Sequence, residues 1–256
     1  MVIALRLLIN FLSISLKTTR ILIVGAFLFP LAVIAQINSG VAEYKVILQQ
    51  TTNTQLKGPY KSDIDNIEKQ AQKLRFELAF NQNASVFSLV EKLAIDKNDF
   101  TAKMAIKIFD GDKMYYANLK EAYLIEQKPL LGKDFQVKTH FKDMNWELTE
   151  EKKQISGYDC YKAIGKRYAM SKNYETFETE IIAWYCPEIP IRTGPFEAVG
   201  LPGLVLRLDL KGRSVILEDL DLGKEVQVEN PIKGDVISQK EYDSIYKKRV
   251  KAQMPR

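Results

Sequence analysis

The chain has 256 residues, 27% charged and 46% hydrophobic, with a formal net charge of +5. Residues 1–35 contain no Asp or Glu and hold three of the basic groups, Arg6, Lys17 and Arg20, so the remaining 221 residues carry 34 basic against 32 acidic side chains, a net +2. That near-balance excludes the strongly basic surface of a nucleic-acid-binding domain, and the length fits one β-rich domain.

The first element is a targeting segment. An apolar run of 15 residues, ILIVGAFLFPLAVIA, follows the basic groups and closes on Val33-Ile34-Ala35. A basic start, an apolar core and a V-x-A end form a secretory signal. Cleavage is predicted after Ala35, leaving a single domain over 36–256. A retained membrane anchor is the weaker reading. Lys17 and Arg20 split the apolar stretch, and each piece is shorter than the roughly 20 residues a spanning helix needs. The mature chain is therefore expected to be periplasmic, with no transmembrane anchor.

Ala42–Gln50 reads as a strand, with Tyr44, Val46 and Leu48 on one face. A helix follows Ser62 and Asp63, carrying Ile64, Ile67, Ala71 and Leu74 on one stripe. Phe76, Leu78 and Phe80 alternate in the next strand, and Val86–Leu93 gives another. Residues 96–109 are ambiguous: Phe100, Met104 and Ile108 are four apart, as on a helix, yet Met104, Ile106 and Ile108 alternate, and a strand over 102–109 is preferred. Asp110-Gly111-Asp112 then reads as a hairpin turn into Lys113–Leu119. Short strands are expected at Ala122–Gln127, Gln136–His140 and Asn145–Thr149, with Glu150–Lys153 as a charged turn.

Ile155–Ala169 and Thr179–Ile189 form a hairpin pair. A loop centred on Asn173 places Cys160 opposite Cys186. These are the chain's two cysteines, and in an exported protein such a pair points to one structural disulfide. Directly opposed residues have Cβ atoms about 4.5–5.5 Å apart, against about 3.8 Å in a disulfide, so the bridge requires local pinching. Two buried thiols are the alternative.

Gly194–Gly203 is rich in glycine and proline. Leu201-Pro202-Gly203-Leu204 suits a type II turn, which sets the register of a strand with Leu204, Leu206, Leu208 and Leu210 on one face. Ser214–Leu220 and Lys224–Val228 are the last predicted strands. Ser238-x-x-Glu241 is a capping box ahead of a helix with Tyr242, Ile245, Tyr246 and Val250 as its stripe.

The sequence names no catalytic residue. The one histidine, His140, lies in a strand without the context of a nucleophile elbow or a zinc helix. Glu218-Asp219-Leu220-Asp221 is the densest acidic cluster and lacks the spacing of a calcium loop. No cofactor and no metal are expected. An enzyme using carboxylates and tyrosines, with Asp219 and Asp221 as its acids, is the alternative.

The segment Gly200-Leu201-Pro202-Gly203-Leu204-Val205 resembles the name-giving motif of the GLPGLI family, with Val205 in place of Ile. Trp146-x-Leu148, Ile155-x-Gly157-Tyr158-x-Cys160-x-Lys162-Ala163, Ala183-Trp184-Tyr185, Ile189-Pro190-Ile191 and Gly194-Pro195 stand in the order that family shows. The resemblance implies an exported envelope protein of Bacteroidetes-type bacteria and carries over no catalytic residue. Cys186 stands where the family frequently has a Thr-like residue.

The expected fold is mainly β: an antiparallel, strongly curved sheet or open half-barrel of roughly ten strands, with one early helix and a C-terminal helix. The expected function is non-enzymatic, the binding of an apolar small molecule or lipid, or of an envelope protein partner, with no nucleic acid involved.

Overall fold

The computed structural model describes residues 39–49, 61–90, 99–130, 132–170, 176–231 and 233–253. They fall in one compact unit, Ile37–Arg256. The predicted signal segment 1–35 lies outside the described residues. Among those described, no helix is long and apolar enough to cross a membrane.

Twelve strands form one open sheet. They are β1 Ser39–Leu48, β2 Arg75–Asn81, β3 Ala84–Leu89, β4 Tyr115–Asn118, β5 Tyr123–Leu130, β6 Lys133–His140, β7 Glu147–Ile155, β8 Tyr158–Met170, β9 Thr176–Cys186, β10 Leu204–Leu210, β11 Arg213–Leu222 and β12 Asp235–Ser238. Three helices accompany them, α1 Lys61–Ala71, α2 Phe100–Ile108 and α3 Gln239–Gln253, with a 3-10 turn at Phe141–Met144. The sheet order is β12-β6-β5-β4-β3-β2-β1-β11-β10-β9-β8-β7. All neighbours are antiparallel except β12, which runs parallel to β6. The first strand is thus central, held between β2 and β11.

The period-two pattern decides which face is buried. Tyr44 and Val46 of β1, Phe76, Leu78 and Phe80 of β2, and Phe87 of β3 all enter the main core. What covers them is the segment between β9 and β10. Ile189, Ile191, Phe196, Ala198, Val199 and Leu201 are all buried. Phe196 packs against Phe76, Phe87 and Tyr115 with ring centroids 5.4, 4.9 and 5.5 Å away. A loop inside a protein must satisfy its backbone polar groups; this one bonds within itself, Gly200 N donating to Arg192 O at 3.0 Å, and to β10, Val205 N donating to Thr193 O at 3.0 Å, and further bonds tie the loop and β10 to the rest of the sheet. Thr193 and Ser85 share a hydroxyl hydrogen bond of 2.6 Å, Trp146 Nε1 donates to the Val199 carbonyl at 2.9 Å, and Tyr44 Oη donates to the Val205 carbonyl at 2.7 Å. Gly194 is required there, because a Cβ would stand 2.5 Å from Val205 Cβ.

The predicted type II turn is not formed. Gly203 N donates to Leu201 O at 2.9 Å, and Leu204 N goes instead to Ile189 O at 2.9 Å. Gly203 is fixed by close approach: a Cβ on it would lie 2.1 Å from the Cys186 carbonyl oxygen. The predicted leucine face is present, with Leu204, Leu206, Leu208 and Leu210 all buried.

Several expectations are corrected. Residues 100–108 are helical, because Asp99 caps the first turn, accepting from Thr101 N at 2.9 Å, and Ala102, Ala105 and Phe109 bury a helical stripe. Glu150–Lys153 is strand, not turn. It lies in β7, an exposed edge where charged side chains cost little. The β7–β8 turn falls instead at Ser156-Gly157, both at positive φ. Lys224–Val228 is not a strand; Val228 packs on a small second cluster of Ala84, Tyr116 and Ile125.

Hairpin β8–β9 has the expected register, Tyr161 opposite Tyr185 and Lys162 opposite Trp184. The disulfide does not form: Cys160 and Cys186 are free, buried thiols. The Cys160 thiol donates to the Tyr158 carbonyl at 3.6 Å. The neighbouring Cys160 thiol and the N–H groups of Ile189 and Glu188 pull the Cys186 thiol down against its burial, while the neighbouring Cys186 and burial push Cys160 up.

Candidate functional site

The charged side chains of five distant segments meet on one side of the sheet. Asp110 follows α2 at φ 60. Its carboxylate receives Lys113 Nζ and Arg167 Nη2, both at 2.9 Å, and Arg213 Nη2 at 2.6 Å. Glu126 and Lys128 are two residues apart on β5 and so share a face. Glu126 receives Lys113 Nζ at 3.1 Å and Lys128 Nζ at 3.0 Å, and Tyr115 Oη donates to it at 3.4 Å. Arg167 on β8 also pairs with Glu197 from the buried loop at 2.9 Å. Arg213, at the start of β11, donates to the Ile108 carbonyl at 2.8 Å and lies over the rings of Phe109 and Phe196.

The electrostatics follow from this arrangement. Burial alone would raise Asp110 and Glu126. The cations overcome it, Arg167, Lys113 and Arg213 for Asp110, and Lys128, Lys113 and Arg167 for Glu126, so both carboxyls are held below their ordinary values. Lys113 is raised: burial works against it, but Glu126 and Asp110 outweigh that. Glu197 raises Arg167 further. Asp110, Glu126, Lys113 and Arg167 are thus each held in the charged form by their partners.

Two cavities flank this network. One, of about 580 Å³, lies between α3 and the region of Asp110 and Arg213; Ile108, Phe177, Ile181 and Leu210 supply its apolar wall. The other, of about 490 Å³, reaches Leu124, Lys138 and Met144. Lys113, Lys128, Arg167 and Gln239 line both. Helix α3 is tied to this junction. Lys128 Nζ donates to Gln239 Oε1 at 2.9 Å and stands 5.4 Å from the Tyr242 ring, which also meets Phe135 edge-on. Burial pushes the Tyr242 hydroxyl up to about 12.

The acids chosen from the sequence do not converge here. Asp219 and Asp221 are exposed on β11, opposite Glu43 and Val41. Their neighbour Glu218 is paired with Lys45 and Arg75. His140 is exposed at the end of β6. Among the described residues, no three of His, Cys, Asp and Glu are grouped so as to hold a metal ion. Gly200, Leu201, Pro202, Gly203 and Leu204 act as structure: Gly200, at φ 87, lies against the Phe141 side chain. The sequence pattern missed the ionic network, whose partners lie as far apart as Asp110 and Arg213.

Residues 167–207 match a family described as a protein of unknown function, Porph_ging, of Bacteroidetes type. No curated protein matches the chain. Among solved structures, PNGF-II is similar in its C2 and P21 crystal forms, at TM-score 0.50 in each and 14% and 13% identity. The likeness covers 82% of this chain and 33% of PNGF-II, so this chain spans about a third of that protein's length. At that identity the likeness is one of fold.

Proposed function

We propose that the protein is an exported, non-enzymatic envelope protein of the GLPGLI type that binds a small molecule with an apolar part in the cavity beneath α3. The observation that carries this reading is the cavity wall. Ile108 and Phe177 are 50% and 44% exposed, and both face the same 580 Å³ space. Large apolar side chains left uncovered around one cavity are what a ligand of that character would bury. The GLPGLI assignment is supported by the motif Gly200–Val205 lying inside the matched stretch 167–207.

The sheet, in this reading, is a half-barrel. Strands β4 and β8 are separated by six others in sheet order. At about 4.8 Å per strand a flat sheet would put them roughly 34 Å apart. Yet Arg167 of β8 reaches Asp110, ahead of β4, at 2.9 Å. Strong bending accounts for that contact, and the loop 187–203 fills the inside of the bend.

The carboxylate enzyme has less support, because the acids that converge are each held by two or more cations or, for Glu197, by Arg167. The test is to purify the protein from periplasm, denature it and analyse the released fraction by mass spectrometry. A lipid or other partly apolar molecule at near one-to-one is the expected result, with an intact mass showing cleavage after Ala35. Recovery of the uncleaved chain from the cytoplasm would overturn the export reading.

A further inference from the structure

We infer that the ligand carries an acidic head group, a carboxylate or a phosphate, seated where Lys113, Lys128 and Arg167 meet between the two cavities, with its apolar part along Ile108 and Phe177. This rests on the binding reading above and names the chemistry of its ligand.

Charge is the first ground. The network joins four cations, Lys113, Lys128, Arg167 and Arg213, to three carboxylates, Asp110, Glu126 and Glu197. Its side chains are only 10–24% exposed. A surplus charge withdrawn from water is costly unless an opposite charge comes to it. The same bias holds at larger radius: cationic side chains outnumber carboxylates six to three around each cavity.

Donor capacity is the second ground. An ammonium offers three N–H groups and a guanidinium five. Lys113 gives two to Asp110 and Glu126, and Lys128 gives two to Glu126 and Gln239. Arg167 meets Asp110 through Nη2 and Glu197 through Nε, two of the three nitrogens of its guanidinium. All three side chains line both cavities. An anionic group there would collect charge-assisted hydrogen bonds from all three.

The third ground is the division of the wall. Glu197 and Asp143 line the smaller cavity and Asp112 and Asp243 the larger, while Asp110 and Glu126 stand against the junction and are each met there by two or more cations, so an acid is least repelled at the shared junction. The Tyr242 hydroxyl stays neutral up to about pH 12 and can donate. Ile108, Phe177, Ile181 and Leu210 lie in the larger cavity, which is where a chain leaving the junction would run.

The experiment is isothermal titration of the full mature chain with four ten-carbon probes: decanoate, decyl phosphate, decanol and decyltrimethylammonium. The expected result is that decanoate or decyl phosphate binds at least tenfold more tightly than decanol, the cation most weakly. Lys128→Gln leaves Glu126 with Lys113 and Tyr115, and it should remove most of the preference for the acids over decanol. The order of decanoate and decyl phosphate identifies the head group. Equal affinity for decanol and both acids overturns this inference and leaves the binding reading standing. Failure of all four probes overturns both. The comparison among probes on the unaltered protein decides the matter even if the variant does not fold.

Discussion

Asp110 receives two arginines and a lysine on one carboxylate, at the end of a helix and at positive φ. Removing that charge leaves Arg167 paired with Glu197 and Arg213 without a carboxylate among the described ion pairs, held by the Ile108 carbonyl and the rings of Phe109 and Phe196. Asp110→Asn should therefore destabilise by about 2–4 kcal/mol, read from urea denaturation at pH 7. The acid limb of stability has a definite sign. The folded pKa of Asp110 lies below its ordinary value of 3.8, so its contribution is complete above about pH 5 and is lost as pH falls below 4. The urea midpoint should drop steeply over that range, and the Asn variant should show a shallower drop. An identical acid limb in both proteins would remove Asp110 from the explanation.

At the scale of elements, the hairpin β8–β9 makes the free-thiol state measurable. Native protein should react slowly with a thiol reagent because both sulfurs are fully buried, and two equivalents should react once it is unfolded without reductant. Zero equivalents would restore the bridge. Helix α3 depends on its cap. Ser238 N donates to Glu241 Oε2 at 2.7 Å and Glu241 N donates to Ser238 Oγ at 3.2 Å. Ser238→Ala should cost about 1 kcal/mol and loosen the roof over Lys128, visible as faster hydrogen exchange across 239–246. That cap was legible in the sequence, as were the β8–β9 register and the leucine face of β10, because each is written in residues close together or alternating. Helix α2 was legible only as the second reading, since Met104, Ile106 and Ile108 alternate by chance while Ala102, Ala105 and Phe109 carry the buried stripe. Strand β12 is a four-residue parallel addition with no apolar alternation of its own. The candidate site was least legible. Asp110 looked like a turn residue, and nothing local to it points to Arg167 or Arg213.

For the whole molecule, the decisive feature is that the two ends of the described chain do not form the two edges of the sheet. β1 is interior, and its second neighbour, β11, begins about 165 residues after β1 ends. The loop 187–203 must also be in place before Phe76, Phe87 and Tyr115 can be covered. A chain ending at Gly203 lacks β10 and β11, which leaves Tyr44 without its acceptor on Val205. Such a chain should give no cooperative unfolding transition and should be cut rapidly by protease across β1 and β2. A cooperative transition in it would show that the first nine strands stand alone.

The central place of β1 also sets a clock. At roughly 5–20 residues per second of synthesis, the interval between the appearance of β1 and that of β11 is about 10–30 seconds. Throughout that time one side of β1 presents unpaired amides and carbonyls, an open template for any extended neighbour. Hairpins such as β2–β3 form in microseconds, so most of the sheet can mature while its middle waits. The protein's exposure to misassembly is thus concentrated in its earliest strand, and its yield in a cell should depend on whatever shields that strand until the last third of the chain arrives.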